Sequence, residues 1–167
     1  MSAASNDLLG KAAVLEGLPD HPAIKAVLAF NPEAITDARF DRGELTLTIA
    51  PERICGAAAA VKAVGYNAFE DATAVDWFPS TPRFQVCYHI VSHAHKERIR
   101  LRVMLPAEAP AVETVTSVWP GANFYEREVF DLFGIRFEGH PNLRRIMMPD
   151  DWNGHPLRKD YPVEGYR

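Results

Sequence analysis

The sequence predicts an α+β fold: a mostly antiparallel or mixed sheet of about five strands with helices packed on it, followed by an extended irregular C-terminal segment. Three observations carry this. Apolar residues alternate with polar ones over residues 38–49, 84–90 and 99–105, and the links are short enough for hairpins. Helical spacing appears between these runs, but without the regular strand–helix alternation of a doubly wound nucleotide fold. From Gly134 to Arg167 the periodicity stops. The expected division is a globular domain over residues 1–133 and an extended partner-binding segment over residues 134–167.

Residues 1–20 read as flexible or as a short helix. Asp20-His21-Pro22 then opens a helix that runs to Phe30, with Asp20 as N-cap and Pro22 in the first turn. Ala38 and Phe40, then Leu45, Leu47 and Ile49, form a hairpin whose turn is Asp41-Arg42-Gly43. Pro51 starts a second helix, with Ile54, Ala58, Val61 and Val64 at helical spacing and Gly65 closing it. Three strands follow: Thr73–Phe78, a run with Phe84, Val86, Tyr88 and Ile90 inward, and a run with Ile99, Leu101, Val103 and Leu105 inward. Helices near Pro110–Val118 and from Phe124 to Phe133 complete the domain. Asn123 and Glu126 fit a capping box for the second of these, and Gly134 ends it.

Composition narrows the function. The chain has 167 residues, 47% apolar and 24% charged, with a formal charge of −4, so it resembles neither a disordered chain nor a nucleic-acid binder. Two cysteines, Cys55 and Cys87, cannot supply four ligands to zinc or an iron–sulfur cluster, and read as two reduced thiols. No run reaches the roughly 18 apolar residues of a membrane span, and Met1–Asp7 lacks the basic start of a secretory signal. No dinucleotide, nucleoside triphosphate or acyl-enzyme motif is present.

The remaining polar clusters have plain explanations. His93 and His95 could pair on a metal, but a solvated hairpin tip accounts for them. Arg98, Arg100 and Arg102 read as the wet face of an amphipathic strand, paired with acids on its neighbours. Glu126 and Glu128 stand on different faces of a helix and cannot converge as a catalytic pair. His140-Pro141 and His155-Pro156 read as turns whose imidazoles bond to backbone.

The C-terminal stretch is the informative one. Of its 34 residues four are Pro and four are Gly, which excludes long helices and central strands; eleven are nevertheless large and apolar. Disordered tails lack such residues, and an extended strip cannot bury both its sides. Fully extended it would reach about 100 Å. The expectation is therefore that much of it wraps across another subunit, with Arg144, Arg145, Arg158 and Lys159 meeting carboxylates there. The competing arrangement is a cap folded back on this domain.

These same residues carry a family resemblance. Glu126-Arg127-Glu128, Asp131 and Gly134; Gly139-His140-Pro141 with Arg144-Arg145; Pro149-Asp150 and Trp152; and His155-Pro156-Leu157-Arg158-Lys159-Asp160-Tyr161 together resemble one signature. It is that of the thirty-kilodalton (C) subunit of respiratory NADH:quinone oxidoreductase (complex I). The resemblance implies a cofactor-free core subunit in the quinone module of the peripheral arm. NADH, FMN, the iron–sulfur clusters and quinone would lie on other subunits, and this chain would carry no catalytic, cofactor or metal site. Its partners would be the adjacent quinone-site subunit and other peripheral-arm subunits, on the cytoplasmic face of the cell inner membrane, with the signature residues as interface. The whole complex passes electrons from NADH to quinone and translocates protons. Energy-converting hydrogenases, coenzyme F420-linked dehydrogenases and ferredoxin–plastoquinone enzymes carry similar subunits and are the alternatives. A stand-alone acid–base enzyme using His140, His155, Asp150 and Asp160 is a weaker one.

Overall fold

The computed structural model describes residues 11–165. Residues 1–10, Tyr166 and Arg167 lie outside the described residues; of the stretch 1–20, expected to be flexible or a short helix, the described part holds a short helix over Lys11–Gly17. The elements in order are helices α1 (Lys11–Gly17) and α2 (Pro22–Phe30), strands β1 (Ile35–Asp41) and β2 (Glu44–Ile49), a 3-10 turn (Pro51–Arg53) and α3 (Ile54–Ala63). Then come β3 (Ala68–Asp76), β4 (Phe84–Ser92), β5 (Glu97–Leu105), β6 (Ala111–Glu113), α4 (Ala122–Phe133) and β7 (Arg136–Glu138).

Five strands form one mixed sheet in the order β1-β2-β5-β4-β3, with β2 parallel to β5 and every other pair antiparallel. Alternation fixes the register. Ile99, Leu101, Val103 and Leu105 turn inward against Phe84, Val86, Tyr88 and Ile90, all buried. A one-residue slip would trade those apolar side chains for Arg98, Arg100 and Arg102. Each inward aliphatic contributes about 1.5–3 kcal/mol by leaving water, so the slip is strongly disfavoured. The helices add Ile24, Val27, Ile54, Ala58, Val61, Val129 and Phe133 to the same core.

The arginine row is solvated and paired as its alternation implies. Arg98 holds Glu44 at 2.6 Å, Arg100 pairs with the same carboxylate, and Arg102 reaches Asp37 at 3.0 Å and Thr48 at 2.6 Å. His95 is committed to the Val64 carbonyl at 2.8 Å, and His93 is exposed beside it. The first hairpin turns on Arg42 and Gly43, both at positive φ (51° and 80°), the geometry that matches strand twist. Gly65, at φ 101°, follows α3 as expected.

Three local expectations are corrected. The cap of α2 is His21, whose Nδ1 accepts from the Ala23 amide, while Asp20 pairs with Lys25. Residues 110–118 form no helix: β6 lies there, parallel to β7, because Val112, Thr114, Val115 and Thr116 are β-branched and a partner strand is available. At α4 the N-cap is Gly121, ahead of Asn123 and without a side-chain bond. Glu126 does not reach back to Asn123; its carboxylate takes the Val115 amide at 2.8 Å and the Thr114 hydroxyl.

Candidate functional site

The signature residues converge on the C-terminal end of α4. A helix ends with carbonyls that its own turns cannot satisfy. Gly134, at φ 72°, provides the usual left-handed exit and returns its amide to the Phe130 carbonyl. The next three carbonyls are satisfied by residues more than twenty positions later. His155 Nδ1 donates to Asp131 O at 2.9 Å, Leu157 N to Leu132 O at 3.0 Å, and Arg158 Nε to Phe133 O at 2.6 Å. Packing here is tight: a Cβ on Gly134 would stand 2.5 Å from His155 Cδ2 and 2.7 Å from Arg158 Nη2. The position needs glycine for its φ and for its clearance.

Asp131 is the hub of this seam. It is fully buried on the last turn of α4. Its Oδ2 accepts three successive amides, Ile146 at 2.9 Å, Met147 at 2.7 Å and Met148 at 2.8 Å, so the chain closes a backbone nest around it. Its Oδ1 takes Arg145 Nη1 at 2.6 Å. Burial pushes the carboxyl pKa up, but the three amides and Arg145 outweigh it and hold the group below its ordinary 3.8. Arg145 continues outward, donating from Nη2 to the carbonyls of Trp152 at 3.0 Å and Gly154 at 3.1 Å. Arg127, one turn earlier on α4, donates to the carbonyls of Arg144 and Arg145 at 3.2 and 3.1 Å. Two helix side chains thus fix the path of residues 144–154.

A second clamp secures the far end. Arg83, buried just before β4, grips Asp76 through Nε–Oδ1 at 2.8 Å and Nη2–Oδ2 at 2.7 Å. The same guanidinium holds Asp160 through Nη1–Oδ2 at 2.9 Å and Nη2–Oδ1 at 2.7 Å, and lies over the rings of Phe78 and Phe84. The Lys159 amide adds a bond to Asp76 at 2.9 Å, and the Arg158 guanidinium also lies over the Phe84 ring, 5.1 Å from its centroid. Arg83, with burial opposing and the Lys159 and Phe78 amides assisting, pushes Asp76 down to about 2. Sequence reading missed both Arg83 and Asp76. Their one signal was the arginine directly before an alternating strand, which looks like any strand start.

Arg145 and Arg158, expected to meet a partner's carboxylates, both make contacts within this chain. Arg145 is engaged by Asp131 and by the carbonyls of Trp152 and Gly154, and Arg158 gives its Nε to the Phe133 carbonyl. Turns at Gly139 and Gly154, both at positive φ, shorten the segment far below its extended reach. Ile135 and Phe137 are buried in the core. The outward side is different. Ile146, Met147, Trp152, Leu157 and Val163 are exposed, Met147 to 61% and Leu157 to 49%. Arg144, Pro149, Asp150 and Lys159 are exposed as well.

The other signature residues spread around this seam. Glu128 and Pro141 are exposed. His140 sits beside Glu126, with Nε2 donating to Asn123 O at 3.2 Å and Nδ1 accepting the Asn142 amide at 3.0 Å. Pro156 is half-buried, and the Tyr161 hydroxyl donates to Asn153 O at 3.2 Å. Burial is the largest cause of the lowered pKa values of His140 and His155, so both rings stay neutral at neutral pH. Ion pairs and backbone caps of this kind hold a surface in shape. Among the described residues no group of three His, Cys, Asp or Glu is close enough for a metal, and no helix is long and apolar enough to cross a membrane.

Comparison with known proteins places this geometry. Residues 47–167 match the family model described as respiratory-chain NADH dehydrogenase, 30 Kd subunit. The C subunit of NADH-quinone oxidoreductase from Roseiflexus castenholzii is 45% identical over 86% of this chain and 85% of its own length. Its counterpart from Geobacter sulfurreducens is 47% identical over 79% and 83%. Among solved structures, a trypsin-resistant fragment of Nqo5 shares 42% identity with a TM-score of 0.57, over 60% of this chain and 83% of the fragment. A chain of the membrane-bound sulfane sulfur reductase, an archaeal respiratory membrane complex, matches with a TM-score of 0.73 at 26% identity, over 84% of each chain. The chain, with its buried aspartate hub and doubly clamped C-terminal segment, belongs to the family of the 30 kDa subunit of respiratory-chain NADH dehydrogenase.

Proposed function

We propose that this chain is a cofactor-free core subunit of a proton-translocating NADH:quinone oxidoreductase, and that it scaffolds the adjacent quinone-site subunit. The observation that carries the reading is the two-sided build of residues 144–163. Polar groups turn inward to Asp131, Arg83 and the end of α4, while Ile146, Met147, Trp152, Leu157 and Val163 face out. A strap already fixed in shape loses little conformational entropy when its apolar side is covered, which favours tight assembly. Holding electron carriers and a quinone cavity in register is the contribution such a strap makes, since small displacements slow transfer between bound groups. NADH, FMN, iron–sulfur clusters and quinone belong to other subunits, and the chain lies on the cytoplasmic face of the membrane through its partners.

The second reading, an equivalent subunit of a related membrane complex, draws on the sulfane sulfur reductase match. Identity of 45% to NADH-quinone oxidoreductase subunits against 26% to that reductase favours the NADH branch. The test is purification from native membranes in mild detergent. The chain should co-purify with iron–sulfur subunits and NADH:quinone reductase activity; recovery as a free monomer overturns the proposal.

A further inference from the structure

The seam leaves one buried acid unused. Glu126 is fully buried, with Val115 N donating to Oε1 at 2.8 Å and the Thr114 hydroxyl donating to Oε2. The titratable groups facing it are Tyr88 from β4, whose buried hydroxyl has no hydrogen-bond partner among the described residues, and His140 after β7, with Nε2 4.0 Å from Oε2. His140 is neutral and already donates that proton to Asn123 O. Arg127, the next residue on α4, is turned to the carbonyls of residues 144 and 145. Among the described residues no Lys or Arg forms an ion pair with Glu126. A carboxylate that loses its hydration and gains two neutral donors is poorly stabilised in its charged form. Burial pushes this one up to about 7, against the downward pull of Thr114 and Val115.

A proton on that group needs an acceptor and a route, and both are present. Thr114 Oγ1 lies 2.9 Å from Thr116 Oγ1. Each hydroxyl can donate and accept, so the row Glu126–Thr114–Thr116 can run in either direction. With the carboxylate ionised, Thr114 donates to it. With the carboxyl protonated, it donates to Thr114, whose own proton turns to Thr116, and the Val115 bond is unchanged. Thr114 and Thr116 also line a surface cavity of about 350 Å³ together with Pro120, Asn123, Gly139 and Pro141.

We propose that Glu126 is a proton-binding site, loaded from solvent through the Thr116–Thr114 hydroxyl pair, whose occupancy sets how tightly residues 114–116 are tied to α4. One proton from hydronium in the cavity enters at Thr116 Oγ1, each hydroxyl passes its own proton inward and keeps the one it receives, and the carboxylate is neutralised with the Thr114 hydrogen bonds to Glu126 and Thr116 reversed. The Thr114 amide donates to Glu138 O at 2.9 Å, so the same turn carries β7, where the C-terminal segment begins. Every group in the row belongs to this chain.

The test is a carboxyl-carbon NMR titration of the full chain labelled at glutamate, from about pH 4 to about pH 9. One glutamate should titrate with a midpoint near 7, apart from the ordinary group at about 4.3, and its resonance should vanish in E126Q. T114V removes a donor to the ionised form and should raise the midpoint by about one pH unit or more. T116V should keep a titrating Glu126 but lose its fast exchange with solvent. Ordinary midpoints for every glutamate, or a midpoint near 7 that persists in E126Q, overturn the site; unaltered exchange in T116V overturns the route. Should E126Q fail to fold, the wild-type and T114V titrations decide the matter.

Discussion

Asp131→Asn isolates the hub of the seam, since it keeps the shape of the side chain and removes its charge. In the native chain one oxygen accepts three amides and the other accepts Arg145. An asparagine must turn its NH2 either toward three N–H groups or toward a guanidinium, so one set of donors is left facing a donor. Asp131 is fully buried and Arg145 nearly so, with side-chain exposures of 0% and 16%. Breaking a pair of this kind costs about 3–5 kcal/mol. Because each 1.4 kcal/mol is tenfold, amide exchange at Ile146, Met147 and Met148 should accelerate by roughly two to four decades. The assay is native-state hydrogen exchange on the isolated full chain, with β4 and β5 amides as internal reference; these should keep their protection. Unchanged protection at residues 146–148, or equal loss across the sheet, refutes the reasoning. Acid offers a parallel perturbation. A carboxyl held below its ordinary 3.8 in the folded chain favours the folded form above that value and loses its contribution as pH falls through the folded value. The seam should therefore loosen below about pH 4 in the wild type, and this dependence should be reduced in the asparagine variant.

Gly134→Ala combines a left-handed φ with a Cβ 2.5 Å from His155. It should lower stability by more than about 1 kcal/mol, read by thermal unfolding, and should expose residues 154–158 to protease. Arg83→Met leaves Asp76 buried without its cation and should cost about 3–5 kcal/mol. Asp160→Asn, at the exposed end of the same clamp, should cost under about 1 kcal/mol because solvent screens it; equal effects in the two variants would refute the asymmetric clamp. Met147→Ala and Leu157→Ala should change the stability of the isolated chain by less than about 0.5 kcal/mol, yet reduce co-purification with partner subunits. Full assembly in both variants would remove the outward stripe from the interface.

Local signals were legible in the sequence. The β1–β2 turn at Arg42-Gly43, the β4–β5 hairpin, and α4 with Gly134 at its end each depend on residues close in the chain, and each formed where the pattern placed it. What escaped reading depends on distant partners. Residues 110–118 suit a helix by length, yet Val112 meets Phe137 across β6 and β7, a pairing no local spacing announces. Asn123 and Glu126 satisfy a capping box on paper, but Val115 offers Glu126 a buried amide and wins. An extended strip of residues 134–167 would reach about 100 Å, far more than the folded segment spans. Length alone could not show that Asp131, four residues after Arg127, would gather the amides of three residues that follow Arg145. Arg83 and Asp76 stand outside any recognisable pattern, because the clamp they form takes in Asp160, far along the chain.

The parallel seam between β2 and β5 has a consequence for biosynthesis. Thr48 is joined to Arg102, 54 positions later, so the first hairpin emerges from the ribosome with its inner edge bare and must wait for three more strands to be translated. Pairings that distant form slowly, and an unzipped edge invites association with other nascent chains. Chaperone demand should accordingly peak before Leu105 clears the exit tunnel, and not while the strap is being made.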